Sequence, residues 1–122
     1  MTGSILGNRV NRTEDPELLT QGGTYVYDVA VEGMLHCVFV RSIDAHAAVT
    51  AVDVTDAAAA PGVVAVLTAD DLAVAPHHGF MKVDDSFARS PLVTDRARFV
   101  GDPVAMVIAE TFTQALDAAE LV

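Results

Sequence analysis

The stretch PVAMVIAETFTQALDAAELV, from Pro103 to Val122, decides the fold. Its first part, Val104 to Glu110, is apolar at odd and even positions alike, which predicts a strand buried on both faces. Pro103 can begin such a strand without removing a ladder donor. Thr111, with Gln114 three residues later, has the spacing of a capping box and predicts the start of a helix. Five apolar side chains then recur at helical spacing and predict its buried stripe: Phe112, Ala115, Leu116, Ala119 and Val122.

Upstream of this stretch, alternation with period two predicts an antiparallel hairpin. The second strand of the hairpin is Met34 to Arg41, and the short connection Glu32-Gly33 precedes it. The first strand begins at Thr24 and places four apolar side chains on one face: Tyr25, Tyr27, Val29 and Val31.

Shorter elements are predicted between the hairpin and the decisive stretch. A third strand runs from Ala48 to Val54, and Thr55 caps a short helix that the turn Pro61-Gly62 ends. The β-rich run Val63 to Leu67 predicts a central strand. Further predictions are a capping box at Thr68–Asp71, a strand at Arg98–Val100 and a turn at Gly101-Asp102.

Two segments lack a regular pattern. Residues 1–23 are mostly polar and predict an N-terminal arm, with one helical turn at Pro16 to Leu19 that Gly22-Gly23 ends. Residues 73–96 form a loop longer than compact domains usually carry, and such loops are functional or disordered. We expect this loop either to dock on something outside the chain or to be mobile.

Composition restricts the classes of function. The chain has 122 residues, 52% of them hydrophobic, and a net charge of −10, so we expect one acidic, soluble α+β domain. This charge argues against nucleic acid and anionic membranes as partners. The longest apolar run, Val104 to Ala109, is too short for a membrane span. The start at Met1 lacks a signal-peptide pattern, and the single Cys37 excludes an internal disulfide, so we expect a cytoplasmic location.

Residue patterns nominate no catalytic, cofactor-binding or metal-binding side chain. Cys37 lies in an apolar run and is expected to pack inertly in the core. No serine elbow or glycine-rich phosphate loop is present. The histidines lack the spacing of a zinc site, and the acidic pairs lack the residue order of a calcium-binding loop. We expect His36 to pack in its strand, and the pairs His77-His78 and Asp84-Asp85 to be solvated in the loop. These residues are His36, His46, His77 and His78, with Glu14-Asp15, Asp70-Asp71 and Asp84-Asp85.

Four ordered motifs run along the chain: Leu6–Asp15 with Leu18–Thr20 and Gly23–Tyr25, Arg41–Ala47, Pro61–Thr68 with Asp71, and Pro91-Leu92 with Phe99–Ala105 and Ala109–Thr111. Together they resemble the large subunit of molybdenum hydroxylases, the family of xanthine dehydrogenases, aldehyde oxidases and the aerobic carbon monoxide dehydrogenase large chain, most closely the carbon monoxide dehydrogenase type. The departures from the family pattern are Gln21 for glycine, Ile43 for proline and Asp102 for glutamate.

The resemblance implies an α+β fold, the α/β hammerhead domain, over residues 24–122. It also implies that this segment precedes molybdopterin-binding domains, with iron–sulfur and flavin partners elsewhere in the complex and no cofactor held by the segment itself. The chain ends on a helix without a glycine C-cap, so we expect a piece of a longer polypeptide. Residues of the matched motifs are expected to have structural roles: Arg41, Ser42, His46, Pro61, Gly62, Gly101, Asp102 and Pro103.

Within these motifs, Arg41 and His46 are expected to bond to neighbouring backbone or carboxylates. Gly62 and Gly101 are expected to serve turns, and Arg9 and Arg12 to tie the arm to the subunit or to a partner chain. The function that follows is a non-catalytic structural domain of a molybdenum-dependent oxidoreductase. Two alternatives remain open: a module that self-associates through its sheet edges, and a small histidine- or carboxylate-based enzyme that uses the 73–96 loop.

Overall fold

A computed structural model describes Gly7 and residues 11–23 and 25–122 of the chain. The predictions for Arg9, for most of the stretch 6–10 and for Thr24 lie outside the described residues. Contacts divide the chain into two compact units, Met1–Glu32 and Gly33–Val122, and each is described by itself.

The first unit contains the α-helix α1, Asp15–Thr20, and a 3₁₀ turn at Val26–Asp28. Pro16 lies in the first turn of α1, as its fixed φ favours, so the predicted helical turn is confirmed. The strand predicted from Thr24 to Val31 is wrong over its described residues. The Asp28 carboxylate accepts a hydrogen bond from the Tyr25 backbone N–H at 3.0 Å, and this local bond favours a tight turn over extended chain.

The second unit is built on a three-stranded antiparallel sheet, ordered β1-β5-β3. Its strands are β1, His36–Arg41; β3, Val63–Leu67; and β5, Pro103–Ala109. The predicted hairpin partner of β1 is therefore wrong, since β1 pairs with β5, in the register Val38↔Val107. The prediction that β3 is central is also wrong, because β5 pairs with both neighbours and occupies the centre.

A second, two-stranded sheet pairs β2, Ala47–Ala48, with β4, Arg96–Ala97. Of the third strand predicted over Ala48–Val54, only Ala48 lies in a strand, so most of that prediction is wrong. Its partner β4 is only two residues long, because the chain turns at 98–102, where a strand was predicted at Arg98–Val100. In that turn the Arg98 backbone N–H donates to the Asp102 carboxylate at 2.9 Å.

Two helices complete the second unit: α2, Thr55–Ala59, and α3, Phe112–Ala119. The Thr111 hydroxyl accepts a hydrogen bond from the Gln114 backbone N–H at 3.3 Å, so the predicted N-cap of α3 is confirmed. The prediction that Thr55 caps α2 is wrong, because Thr55 is the first residue of the helix and Val54 occupies the N-cap without a side-chain bond. The Thr55 backbone N–H donates to the Asp53 carboxylate at 3.0 Å. The capping box predicted at Thr68–Asp71 is confirmed around a 3₁₀ turn, Ala69–Asp71.

The core lies between α3 and one face of the large sheet. Its fully buried side chains are small, which lets the helix approach the strands closely. The predicted stripe of α3 is rotated, because Phe112 and Leu116 are exposed and Ala118 is buried. The buried cluster consists of Val107, Ala109, Ala115 and Ala118, with Val38, Val40, Ala60, Val63, Val66, Ala119 and Val122 against it. Among the described residues, no helix has both the length and the apolar character needed to cross a membrane.

We predict that Val107→Ala destabilises the chain by about 2 kcal/mol, because the removed methyl groups leave a cavity that the sheet cannot close. Val64→Ala is the matched control, since Val64 is 57% exposed, and it is expected to change the free energy of unfolding by less than about 0.5 kcal/mol. Urea unfolding measures both variants. Equal losses in the two variants would contradict the placement of this core.

A second prediction concerns acid. Hydrogen bonds from neighbouring backbone and side-chain groups lower the pKa values of Asp53, Asp71 and Asp84. Because their folded pKa values lie below the unfolded value of about 3.9, their contribution to stability is full above that pH and is lost as the pH falls through the folded values.

We therefore expect the melting temperature of the chain to be level near neutral pH and to fall below about pH 4. Asp71→Asn keeps a hydrogen-bond acceptor for Thr68 but does not titrate, so it is expected to be less stable near pH 7 and to lose less on acidification. If the melting temperatures of wild type and Asp71→Asn fell by the same amount over this pH range, the prediction would be contradicted.

Candidate functional site

The motif residues at the end of β1 meet those that precede β5. The Ser42 backbone N–H donates to the Asp102 carbonyl at 2.9 Å, and the Gly101 backbone N–H donates to the Ser42 carbonyl at 2.8 Å. The Arg41 guanidinium donates from Nη1 to the Gly101 carbonyl at 2.9 Å. Two stretches some 60 positions apart in sequence are thereby fastened together, and we call this arrangement the β1–β5 junction.

Asp102 organises the turn that enters the junction. Its carboxylate is buried and receives the Arg98 backbone N–H, while its own backbone N–H donates to the Phe99 carbonyl at 3.1 Å. Gly101 has φ +93, a left-handed conformation that glycine adopts without strain. The carboxylate is therefore used as a backbone cap within this turn.

Pro103 sets the local register of the junction. It lies opposite Arg41, and the ladder shifts between Val40 and Arg41. Because proline has no N–H, it cannot donate to the ladder there, and its carbonyl instead accepts from Val93 N–H at 2.8 Å. The irregularity bends the strand where the junction forms.

Ser42 and His46 shape the connection that leaves β1. The Ser42 hydroxyl accepts from the Asp44 backbone N–H at 3.1 Å and donates to the Asp44 carbonyl at 2.9 Å, which closes a tight turn. His46 is exposed, and its Nε2 lies 3.5 Å from Arg96 Nη1. The neighbour of His46 is thus a guanidinium, where we expected a backbone group or a carboxylate.

Pro61 and Gly62 lie away from the junction, at the other end of β5. Gly62 has φ +76, and its carbonyl accepts from the Glu110 backbone N–H at 2.9 Å. A side chain at this position would collide with the Gln114 amide. The structure therefore divides the predicted motif residues into the β1–β5 junction, the exposed His46 and this second turn.

An open cavity of about 450 Å³ lies beside the junction, lined by the end of the 73–96 loop and by Arg98 and Asp102. Its charged groups already have partners. Arg98 donates to the Arg96 carbonyl at 2.8 Å and to Asp95 at 3.3 Å, and the Arg89 guanidinium lies 4.8 Å from the centre of the Phe99 ring. The guanidinium groups at the cavity are thus already engaged within the domain.

The 73–96 loop contains a short 3₁₀ turn, Asp85–Phe87, capped by the Asp84 carboxylate, and His77 exchanges backbone hydrogen bonds with Arg89 at 2.9 Å. His78 is half-buried, with Nε2 3.1 Å from the Asp85 carboxylate, so the expectation of a solvated pair is wrong for His78. Its Nδ1 is buried without a hydrogen-bond partner among the described residues.

The donor set of the described residues does not fit a metal ion. In the part of the chain that the structure describes, His, Cys, Asp and Glu side chains nowhere gather in threes as metal ligands. The prediction that Cys37 packs in the core is wrong, because its side chain is exposed on the face of the large sheet opposite α3. Partial burial still raises the pKa of the Cys37 thiol, which disfavours the reactive thiolate.

The fold and the junction define a small α+β domain in which Arg41, Ser42 and Asp102 hydrogen-bond to backbone groups and fix turns. The family model described as "Aldehyde oxidase and xanthine dehydrogenase, a/b hammerhead domain" matches residues 20–122. The chain belongs to this family, and the predicted α+β hammerhead fold is confirmed.

Named relatives agree with this assignment. The chain is 40% identical to the nicotine 6-hydroxylase large subunit of Paenarthrobacter nicotinovorans, over 100% of this chain and 15% of that protein. It is 39% identical to the carbon monoxide dehydrogenase large chain of Afipia carboxidovorans, over 96% of this chain and 14% of that protein. The chain thus spans about one-seventh of the length of these relatives.

Solved structures show the same fold. Quinoline 2-oxidoreductase from Pseudomonas putida 86 superposes with a TM-score of 0.77 at 38% identity, over 92% of this chain and 15% of that one. Carbon monoxide dehydrogenase from Oligotropha carboxidovorans superposes with a TM-score of 0.82 at 36% identity, over 94% of this chain and 14% of that one.

A third prediction separates the two glycine turns. Gly101→Ala is expected to cost about 1–2 kcal/mol, because alanine is strained at positive φ but meets open space there. Gly62→Ala carries the same strain and also pushes the flexible Gln114 amide out of its preferred rotamer, which adds about 0.5–1 kcal/mol. Urea unfolding compares the two variants. The double variant Gly62→Ala/Gln114→Ala is expected to recover part of the loss, and no recovery would contradict the proposed collision.

Proposed function

We propose that this chain is a non-catalytic structural domain in the large subunit of a molybdenum-cofactor-dependent oxidoreductase. The observation that carries the proposal is the β1–β5 junction, in which Arg41, Ser42 and Asp102 bond to backbone groups of the domain itself. A side chain that positions a substrate would direct its polar atoms toward open space. The family membership of residues 20–122 supports the same conclusion.

The proposal includes the surroundings of the domain. Residues 24–122 form the hammerhead domain and residues 1–23 an arm, with molybdopterin-binding domains following in the same subunit and iron–sulfur and FAD groups on partner domains or subunits. Names such as "large subunit" and "complex subunit gamma" among the relatives support a multi-subunit assembly. A cytoplasmic location belongs to the same proposal, since a chain with one cysteine has no internal disulfide that needs an oxidising compartment.

Contacts in the first unit bear on the arm. Arg12 pairs with Asp15 of α1 at 2.9 Å, so part of its charge is balanced locally. An exposed pair of this kind contributes little to stability. The proposed role of Arg12 in tying the arm to the subunit is compatible with such a weak local pair.

Self-association through sheet edges is a second candidate, favoured by the position of β1 and β3 at the two edges of the large sheet. Edge strands offer unpaired backbone groups to another chain. Light scattering of the purified chain at rising concentration tests this candidate, and a monomer throughout would contradict it.

A fourth prediction tests the structural role. The purified chain is expected to contain no stoichiometric molybdenum and to oxidise no aldehyde, purine or carbon monoxide, as metal analysis and oxidation assays can measure. We also propose a chimera, in which this chain replaces the matched segment of the Afipia carboxidovorans large chain. It is expected to assemble with its partner subunits and to retain molybdenum.

In the chimera, Arg41→Ala is expected to lower the yield of assembled enzyme, because it removes the exposed bond from the Arg41 guanidinium to the Gly101 carbonyl, which is worth about 1 kcal/mol. Turnover per bound molybdenum should stay unchanged. Lys82→Ala, which removes an exposed positive charge from the 73–96 loop, is the matched control and should alter neither quantity. A loss of turnover per molybdenum in Arg41→Ala, or metal and activity in the isolated chain, would contradict the structural role.

A further inference from the structure

The large sheet has a second face that α3 does not cover. Residues that pair across the three strands form two rows on it, because opposite residues in an antiparallel ladder point to the same side. We call this surface the open face. Its rows are Cys37–Ile108–Ala65 and Phe39–Met106–Leu67.

No polar side chain interrupts either row. An antiparallel sheet with one solvated face normally alternates apolar and polar residues, so that the outer face is hydrophilic. The open face departs from this pattern: Phe39 is 41% exposed and Cys37 is also exposed. Apolar area of this kind marks an interaction surface.

Within Gly33–Val122, the packed helices lie on the other side of the sheet. The helix α3 contacts all three strands through the buried face, and α2 packs against both β3 and α3. A helix on one face leaves the other without a second layer, although domains usually bury each apolar face against another element. Four of the six row residues are partly buried, whereas Cys37 and Phe39 remain exposed and no helix of this unit covers them.

The charge of the chain selects among possible occupants. Two copies of the chain would each carry a net charge of −10, and like net charges resist association. The relatives, by contrast, contain about six times as many further residues as the segment they share with this chain, as the coverage of 15% and 14% shows. A neighbouring segment of such a subunit is the available source of an apolar layer.

We propose that the open face is the surface on which another segment of the large subunit docks, by an apolar layer packed against Phe39, Met106 and their neighbours. This inference rests on the proposed function, because it takes the occupant from the same subunit. It assigns the open face to assembly, whereas the β1–β5 junction shapes the domain internally.

Cys37 provides a direct probe, since its thiol lies within the first row of the open face. Alkylation of Cys37 is followed by peptide mass spectrometry in the isolated chain and in the assembled chimera. Burial of the row is expected to slow labelling in the chimera roughly tenfold or more. Equal labelling rates in the two would overturn the inference.

Substitutions test the energetics of docking. Phe39→Glu and Cys37→Glu lie on an edge strand at exposed positions, and each is expected to reduce the yield of assembled chimera roughly tenfold or more. Ile43→Glu is the matched control, because Ile43 is 89% exposed and lies beyond the end of β1, and it is expected to assemble like wild type. Circular dichroism of the isolated variants establishes that they fold.

The outcomes separate the two proposals. Failure of the unsubstituted chimera to assemble contradicts the proposed function. Assembly of the unsubstituted chimera together with normal assembly of both face variants overturns the docking inference and leaves the structural role intact. Concentration-dependent dimers of the isolated chain that Phe39→Glu abolishes, with normal assembly of the chimera variants, would assign the open face to a second copy.

Discussion

The pairing of β5 with two neighbours positions the rest of the second unit. Its backbone is bonded to β1 on one side and β3 on the other, and alternate side chains such as Val107 lie fully buried under α3. Each glycine turn lies at one end of β5: Gly101 is two residues before the strand, and the Gly62 carbonyl accepts a hydrogen bond from the Glu110 backbone N–H just after it. The geometry of the motif residues is therefore a consequence of the sheet.

Local signals in the sequence predicted the elements that local forces decide. The capping bonds at Thr68 and Thr111 and the glycine turns depend on residues within three positions of one another, and the structure contains all of them. The hairpin failed for the opposite reason. Residues 25–31 alternate as a half-buried strand would, but the bond from the Tyr25 backbone N–H to the Asp28 carboxylate stabilises a turn there. The strand that does pair with β1 lies more than 60 residues downstream.

The candidate site shows the same limit. The resemblance to the family motifs identified Arg41, Ser42, Gly101 and Asp102, yet their meeting depends on the long-range register that brings Arg41 opposite Pro103. The position of Cys37 was also undetermined by pattern, because β1 is apolar at successive positions from Cys37 to Val40. Which alternate set faces α3 is fixed by pairing with Val107, and a shift of one residue would exchange the two faces.

The two faces of β5 differ in how far the chain itself buries them. Ala105, Val107 and Ala109 are small enough for α3 to pack closely, and their burial is complete within the chain. Met106 and Ile108 on the opposite face are larger and only partly buried, so part of their apolar area still contacts water. A docked segment would remove that area from water, and by linkage its binding would also stabilise the fold. Under the proposed assembly, the sheet is thus a shared core: one half is completed by this chain, and the other half is completed only when the large subunit folds around it.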